Sequence, residues 1–220
     1  MSTATVHLLR HGEVYNPDRV LYGRLPEFHL SDLGNQMAER AAEYFTGQRN
    51  AGANITHLVS SPLVRALETA KPTSQALGLE IMTDDRIIEA ENRFQGLSHI
   101  KNRLREPKYW PYVVNPFRPS WGEPYRDQVE RMMTAIVEHR DRAVELGGRG
   151  AQAILVSHQL PIWVTRRSAE GRALWHDPRK RECTLTSVTS LDFDGESLVA
   201  VRYAEPSVDL LANAANIPGA

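Results

Sequence analysis

The sequence is short of cysteine and of long apolar runs, and each shortage excludes a class of protein. Cys183 is the only cysteine among 220 residues, which excludes an internal disulfide and any cysteine-based zinc or iron–sulfur site. No stretch approaches the ~18 apolar residues that a membrane span needs, and the N-terminus lacks the basic and apolar regions of a secretory signal. We therefore expect a soluble, cytoplasmic protein with no membrane partner. Cys183 is interpreted as a small buried residue rather than a nucleophile.

The chain also lacks an excess of charge of either sign. Its 26 basic and 27 acidic side chains give a net charge of −1, and its hydrophobic fraction of 41% is that of an ordinary globular protein. A chain this balanced has no overall basic field to attract nucleic acid. We therefore expect no nucleic-acid partner. Two local basic runs, Arg166-Arg167 and residues 177–182, are interpreted as solvated surface, with the rim of an anion pocket as the alternative.

Short β-type runs alternate with helical patterns along the chain. Strands are predicted at 6–9, 55–60, 79–83 and 153–156, helices at 32–46, 62–77, 125–146 and from about 158, and a terminal hairpin at 184–193 and 197–203. Ser31 is predicted to cap the first helix, and Ser61-Pro62 to begin the second. This alternation indicates an α/β fold with a largely parallel sheet, which the terminal hairpin makes mixed.

Three predicted strands end in residues suited to binding an anion. The first strand leads into Arg10-His11, the second is followed by Arg65 one turn into its helix, and the fourth leads into His158. Ligands of open α/β sheets bind beyond the carboxyl ends of the strands. Guanidinium groups, imidazoles and helix N-terminal amides are the groups that bind phosphate. The sequence therefore predicts a site for a tetrahedral oxyanion at this edge of the sheet.

Six segments, in order along residues 6 to about 165, resemble the motifs of the histidine phosphatase superfamily, which includes the phosphoglycerate mutases. They are HLLRHGEV (7–14), LYGRLPEFHLSDLG (21–34), LVSSPLVRALETA (58–70), DRIIEAENRFQGL (85–97), WGEPYRDQVERM (121–132) and ILVSHQLPI (154–162). The resemblance implies a three-layer α/β/α fold, with residues 1–220 forming a single domain. It also implies chemistry that needs no metal and no cofactor.

The resemblance assigns roles that the chemistry of the residues supports. His11 would be the nucleophile that takes up the phosphoryl group, since a neutral imidazole is available near pH 7. Arg10, Arg65 and His158 would bind the phosphoryl oxygens and stabilise the charge of the transition state. A carboxylic acid must also protonate the leaving oxygen. Glu89 matches the family's glutamate, and Glu91, two residues further on, is the alternative.

The resemblance also suggests further residues that contact the substrate, and the sequence departs from the family pattern in two places. Asn16 would be a further phosphate contact, but RHGEVYN places it one residue earlier than the commoner RHGETxxN. The run Arg93-Phe94-Gln95-Gly96 replaces the Gly-x-Trp-Glu-Gly of many members, which changes the wall of the pocket. The remaining candidates for substrate contact are Gly23, Arg24, Glu91 and Gln159.

The resemblance leaves the activity open between three alternatives. A phosphatase acting on a small phosphorylated metabolite is favoured over a phosphoglycerate mutase, because the middle segment does not show the mutases' combined pattern of tandem arginines with multiple prolines. The third alternative is a catalytically silent module that binds a phosphorylated ligand. The Pro- and aromatic-rich segment at about 92–124 is interpreted as a lid over an organic group or as an apolar cap on the core; the aromatics of its 109–121 part are Tyr109, Trp110, Tyr112, Phe117 and Trp121. The oligomeric state is open, with a homodimer as one alternative.

Overall fold

The computed structural model describes residues 3–98, 106–112 and 121–214 of the chain. The strands in this part are β1 (Ala4–Arg10), β2 (Asn54–Ser60), β3 (Ile81–Thr83), β4 (Ala151–Ser157), β5 (Val188–Asp194) and β6 (Ser197–Ala204). The α-helices are α1 (Asp32–Asn50), α2 (Val64–Leu77), α3 (Tyr125–Gly147) and α4 (Gln159–Ala169). Short 3₁₀ helices cover Asp85–Ile87, Pro107–Tyr112, Pro178–Lys180 and Leu211–Asn213.

All six strands join one sheet in the order β3-β2-β4-β1-β5-β6. Strands β3, β2, β4 and β1 are parallel, whereas β5 pairs antiparallel with both β1 and β6. The prediction of a largely parallel α/β sheet made mixed by a terminal hairpin is confirmed. The hairpin's first strand begins at Val188 rather than Thr184, because Thr186 has a φ of 52° that a strand does not accommodate.

Helices cover both faces of the sheet, which gives three layers. Side chains of β1 and β4 alternate between the faces, as the two-residue period of a strand requires. Val6 and Leu8 pack with α3 and α4, whereas Leu9 packs with α1 and α2. Strands buried on both faces read as continuous apolar runs, which explains why the sequence pattern of β1 and β4 shows no polar alternation.

The register of the parallel strands brings three chain segments to one edge. Arg10 is paired with Ser157, and Ser60 with Val156. The backbone hydrogen bonds continue one residue beyond the strands, since the amide of His11 donates to Ser157 at 3.1 Å and that of Ser61 to Val156 at 2.9 Å. The residues that follow β1, β2 and β4 therefore lie side by side.

The start of α2 differs from the prediction. The helix begins at Val64 with Leu63 as its N-cap and no side-chain capping bond, so Ser61-Pro62 does not begin it. The Ser61 hydroxyl instead lies 2.8 Å from Nε2 of His158, and its contact with the Leu63 amide is long, at 3.4 Å. A tertiary contact has replaced the local cap. Ser31, in contrast, caps α1 as predicted, accepting from the Gly34 amide at 2.9 Å.

Part of the Pro- and aromatic-rich segment can be placed. Tyr109 packs its ring on buried Phe94 with centroids 5.8 Å apart, whereas Trp110 is 57% exposed. The packing of Tyr109 agrees with the interpretation as an apolar cap. The exposure of Trp110 is compatible with the interpretation as a lid. Residues 99–105 and 113–120, which include Phe117, lie outside the described residues. No helix in the described part of the chain combines the length and apolar character required to cross a bilayer.

Candidate active site

Close packing of two glycines positions His11 at the end of β1. A Cβ on Gly12 would lie 2.6 Å from the Gly34 carbonyl oxygen, and one on Gly34 would lie 2.0 Å from that of Glu13. The turn is also anchored to α2, since the Gly12 amide donates to the hydroxyl of Thr69 at 3.0 Å. The absence of both side chains therefore lets the start of α1 and the turn after β1 approach each other.

The imidazole of His11 is fully buried and prepared to act as a nucleophile. Its Nδ1 lies 2.7 Å from the carbonyl oxygen of Gly12, which can accept a hydrogen bond but cannot donate one. Nδ1 therefore carries the proton, and Nε2 carries the lone pair. Nε2 has no hydrogen-bond partner among the described residues. Burial, followed by the charges of Arg65 and Arg10, lowers the pKa of His11 well below its usual value, so the ring is neutral.

His158 lies beside His11, with ring centroids 5.2 Å apart. It is the N-cap residue of α4 and is fully buried. Its Nε2 is held by the Ser61 hydroxyl at 2.8 Å, while its Nδ1 has no partner within the described part of the chain. Burial and then the charge of Arg65 lower the pKa of His158 well below its usual value.

Arg65 brings a fully buried guanidinium to this pair of imidazoles. Its Nη2 donates to the carbonyl oxygen of Gly23 at 2.6 Å, and its guanidinium lies over the Tyr22 ring, 4.7 Å from the centroid. Its Nε and Nη1 have no hydrogen-bond partner among the described residues. Burial lowers the pKa of Arg65, and unpaired buried donors are costly in the absence of an anion. The side chain is therefore held where an oxyanion would complete its hydrogen bonds.

Arg10 is attached to the segment before β5. Its Nη1 donates to the carbonyl oxygen of Cys183 at 2.7 Å, and the side chain is 6% exposed. Cys183 belongs to the apolar core, and burial raises the pKa of its thiol. The interpretation of Cys183 as a small buried residue is confirmed. Its backbone, rather than its sulfur, contributes to the site.

The two candidate acids have opposite environments. Glu89 is 8% exposed and faces the charges of Arg65 and Arg10, and burial raises its pKa. The side chain of Glu91 is 70% exposed and pairs with Arg24 at 3.0 Å. A carboxyl that must donate a proton near neutral pH needs a raised pKa. The buried environment of Glu89 meets this requirement, whereas the carboxylate of Glu91 is exposed to solvent and paired with Arg24.

A network of two arginines and a glutamate holds the loop that carries Glu89. Arg24 donates from Nε to the carbonyl oxygen of Glu89 at 2.6 Å and from Nη2 to Glu123 at 3.0 Å. Arg131, on α3, bonds both carboxylate oxygens of Glu123 at 2.7 and 3.0 Å. It also donates to the carbonyl oxygen of Arg86. The backbone carbonyls of Arg86 and Glu89 are therefore both held by arginines that pair with Glu123.

Several predicted contacts have structural partners. Arg24 is occupied by the network above, and Gly23 offers its carbonyl to Arg65. The amide of Asn16 forms two hydrogen bonds with the backbone of Val20, at 2.8 and 3.0 Å, which close the loop after His11. Gln159 donates to the Cys183 carbonyl at 3.3 Å, next to Arg10. Contact of these four residues with substrate stays a prediction.

Sequence reasoning missed three contributors to the site. Ser61, which its own segment predicts to be a helix cap, instead holds His158. Glu123 and Arg131 lie in a segment that resembles the family, but the resemblance assigns them no role. No pattern in that segment predicts that Glu123 pairs with Arg24 and Arg131. Of the basic run at 177–182, Arg179 is solvated, with its side chain 86% exposed, whereas Arg181 is half-buried and bonds Gln159.

The model of the histidine phosphatase superfamily (branch 1) matches residues 6–206. The chain belongs to the histidine phosphatase superfamily. Among curated relatives of this superfamily member, the uncharacterised protein Rv0525 of Mycobacterium tuberculosis is 46% identical over 204 residues, which are 92% of this chain and 96% of the relative. The probable phosphoglycerate mutase GpmB of Escherichia coli is 30% identical over 190 residues, covering 83% of each chain.

Solved structures resemble this superfamily member over nearly its whole length. The mycobacterial glucosyl-3-phosphoglycerate phosphatase Rv2419c has a TM-score of 0.71 at 26% identity, covering 91% of this chain and 97% of its own. Bacillus stearothermophilus YhfR has a TM-score of 0.70 at 25% identity, covering 90% and 95%. The three-layer fold expected from the sequence is thereby confirmed.

Proposed function

We propose that this protein is a metal-independent phosphatase that hydrolyses a small phosphomonoester through a phosphohistidine on His11. The observation that carries the proposal is the buried, neutral His11, whose unpartnered Nε2 lies among cationic side chains beside His158. A carboxyl with a raised pKa, Glu89, faces the same arginines. Nucleophile, oxyanion-binding groups and acid are the three components that phosphoryl transfer to a side chain requires.

The first step transfers the phosphoryl group to the enzyme. The Nε2 lone pair of His11 forms a bond to phosphorus while the bond from phosphorus to the leaving oxygen breaks. Glu89 donates its proton to that oxygen, so the product leaves as a neutral alcohol. The imidazole becomes cationic, and the Gly12 carbonyl that accepts from Nδ1 at 2.7 Å stabilises this charge. Arg65 and Arg10 bind the equatorial phosphoryl oxygens, whose charge grows in the transition state.

The second step returns the enzyme to its starting state. Glu89, now a carboxylate, takes a proton from water as the water oxygen attacks phosphorus. The bond from phosphorus to Nε2 breaks, its electron pair returns to the imidazole, and inorganic phosphate leaves. In this scheme the cationic side chains supply the charge stabilisation that a metal supplies in other phosphatases. One carboxyl serves first as acid and then as base.

Hydrolysis and mutase activity differ only in what accepts the phosphoryl group from His11. The fold relative that is a glucosyl-3-phosphoglycerate phosphatase supports hydrolysis. The relative named probable phosphoglycerate mutase GpmB favours the second candidate, transfer between hydroxyls of a phosphoglycerate. Both candidates use the same first step, so the distinction rests on measured products.

The proposal is tested by hydrolysis of p-nitrophenyl phosphate in the presence of EDTA. We expect turnover by the wild type, loss of at least about a thousandfold in His11→Ala, and full activity in His29→Ala, which alters an exposed histidine. Turnover that survives in His11→Ala, or that EDTA abolishes, contradicts the mechanism. Incubation with 3-phosphoglycerate decides the candidates: release of inorganic phosphate supports the phosphatase, and isomerisation without release supports the mutase.

A further inference from the structure

Arg181 is attached to the phosphate-binding residues through a short chain of hydrogen bonds. Its Nη1 donates to Oε1 of Gln159 at 3.3 Å, and Nε2 of Gln159 donates to the Cys183 carbonyl at 3.3 Å. The same carbonyl oxygen accepts from Nη1 of Arg10 at 2.7 Å. Gln159 also directly follows His158 and is the first residue of α4. The Arg181 guanidinium therefore lies at the edge of the site, near the N-terminus of α4.

Neutral groups hold this guanidinium. Nε of Arg181 donates to Nε2 of His176 at 2.9 Å, while Nδ1 of His176 lies 2.8 Å from the Leu174 carbonyl. Nδ1 therefore carries the proton of His176, and the ring is neutral; burial lowers its pKa to about 4. The rings of Tyr125 and Trp163 pack on His176 at 5.4 and 5.9 Å. The orientation of Arg181 is thus fixed without a countercharge on its hydrogen-bond partners.

Several other arginines in the described chain pair directly with carboxylates. Arg24, Arg86, Arg131 and Arg202 are each within 3.0 Å of a carboxylate. The described hydrogen-bond partners of the Arg181 side chain are His176 and Gln159 alone. The charge of Glu89 also acts on Arg181, but Glu89 is not among its hydrogen-bond partners. A half-buried cation whose hydrogen-bond partners are neutral is stabilised further by an anion that binds there. Its Nη2 forms neither of these hydrogen bonds.

We propose that Arg181, together with the amide of Gln159, forms a subsite for a second anionic group of the substrate. This proposal rests on the phosphatase function and narrows its substrates to small phosphomonoesters with a carboxylate or second phosphate close to the transferred phosphoryl group. A guanidinium presents a fork of N–H donors that suits either anion. Arg10 and Arg65 bind the reacting phosphoryl group, and Arg181 binds the other end of the same ligand.

Binding to the His11→Ala protein tests the subsite independently of turnover. Two ligand pairs differ in one anionic group: phosphoserine against phosphoethanolamine, and fructose 1,6-bisphosphate against fructose 6-phosphate. Calorimetry should show about ten- to hundredfold tighter binding of the anionic member in at least one pair, the range expected of a charged hydrogen bond. The pair that shows the preference identifies the anion as carboxylate or phosphate. Adding Arg181→Gln should remove most of that preference.

The matched control is Arg179→Gln, which removes an exposed arginine two residues away that pairs with Asp177 at 2.8 Å. It should keep the full preference. Because each preference is a ratio of two affinities for one protein, partial misfolding does not alter it. Equal affinities within both pairs, or a preference that persists in Arg181→Gln, overturn the subsite. Hydrolysis of p-nitrophenyl phosphate by the wild type is read separately, so failure of the phosphatase function is distinguished from failure of the subsite.

Discussion

Ser157 donates a hydrogen bond from its hydroxyl to the carbonyl oxygen of Ile87 at 2.7 Å. The residue before His158 thereby holds the loop that leads to Glu89. Ser157 is the last residue of β4, and Ile87 is the last residue of the 3₁₀ helix Asp85–Ile87, which follows β3. One hydrogen bond thus links the position of the second histidine to that of the acid.

The first prediction concerns this bond. Ser157→Ala removes the donor and leaves the buried carbonyl of Ile87 unpaired, which should lower the free energy of unfolding by about 1–3 kcal/mol. Urea denaturation at pH 7 measures the change, with Ser197→Ala at an exposed position of β6 as the control. An unchanged midpoint for Ser157→Ala would show that the bond contributes nothing to folding.

The second prediction separates Glu89 from Glu91. Glu89→Gln should lower kcat on an alkyl phosphate by about 10²–10⁴-fold, the contribution of a general acid. The loss should be smaller on p-nitrophenyl phosphate, whose leaving group needs less protonation. Because the pKa of Glu89 is raised, wild-type activity should fall as pH rises through that pKa, and the alkaline fall should disappear in Glu89→Gln.

Glu91→Gln is the matched control for this experiment. Its side chain is 70% exposed, so its kcat and its alkaline limb should match those of the wild type. Equal losses on both substrates in Glu89→Gln, or a larger loss in Glu91→Gln, would move the acid role away from Glu89.

The third prediction uses two glycines of the same helix. A Cβ on Gly34 would meet the Glu13 carbonyl oxygen at 2.0 Å, whereas a Cβ on Gly47 meets nothing within 4 Å. Gly34→Ala should therefore lose more than about 2 kcal/mol, a typical cost of forced overpacking, and lose activity because Glu13 is near His11. Gly47→Ala should gain roughly 0.5–1 kcal/mol from helix propensity. Thermal melts of both variants check the pair, and similar melting temperatures would contradict it.

The fourth prediction is a loss of stability in acid. Burial lowers the pKa of His7 from 6.5 to about 4 in the folded chain. Between these values the unfolded chain binds a proton that the folded chain does not, so stability falls as pH falls. His7→Gln should flatten the fall by up to about 1.4 kcal/mol per pH unit. Denaturation midpoints from pH 7 to pH 4 measure it.

The control for the fourth prediction is His29→Gln. His29 is exposed, and its hydrogen bond with Glu68 raises its pKa. Protonation of His29 therefore favours the folded chain as pH falls, the opposite of the effect of His7. This variant should not flatten the acid loss. An acid loss in His7→Gln as steep as that of the wild type would show that His7 titrates normally in the folded protein.

The sequence alone was sufficient to place Arg10, His11, Arg65 and His158 together. Each follows or directly continues a β-type run, and the carboxyl ends of parallel strands meet at one edge by geometry. The layers of the fold followed from the same alternation of strands and helices. These features depend on local patterns and on rules of chain topology, which a single sequence displays.

Features that depend on long-range pairing could not be predicted. Ser61 and His158 are 97 positions apart in the chain, and Arg24 and Glu123 are 99 apart. Local preference assigned Ser61 to a helix cap, because the competing partner was not visible in its own segment. The half-buried state of Arg181 likewise depends on His176 and Gln159, and its own segment reads as an exposed basic run.

The most direct test of the account is detection of the phosphorylated enzyme. Wild-type protein is mixed with a phosphomonoester substrate, quenched in alkali on the millisecond scale, digested, and analysed by mass spectrometry. We predict one phosphoryl group on the imidazole of His11, formed and lost at rates compatible with turnover and absent from His11→Ala. Phosphate on another side chain, or rapid turnover with no phosphorylated enzyme at any time, would contradict the central role of His11.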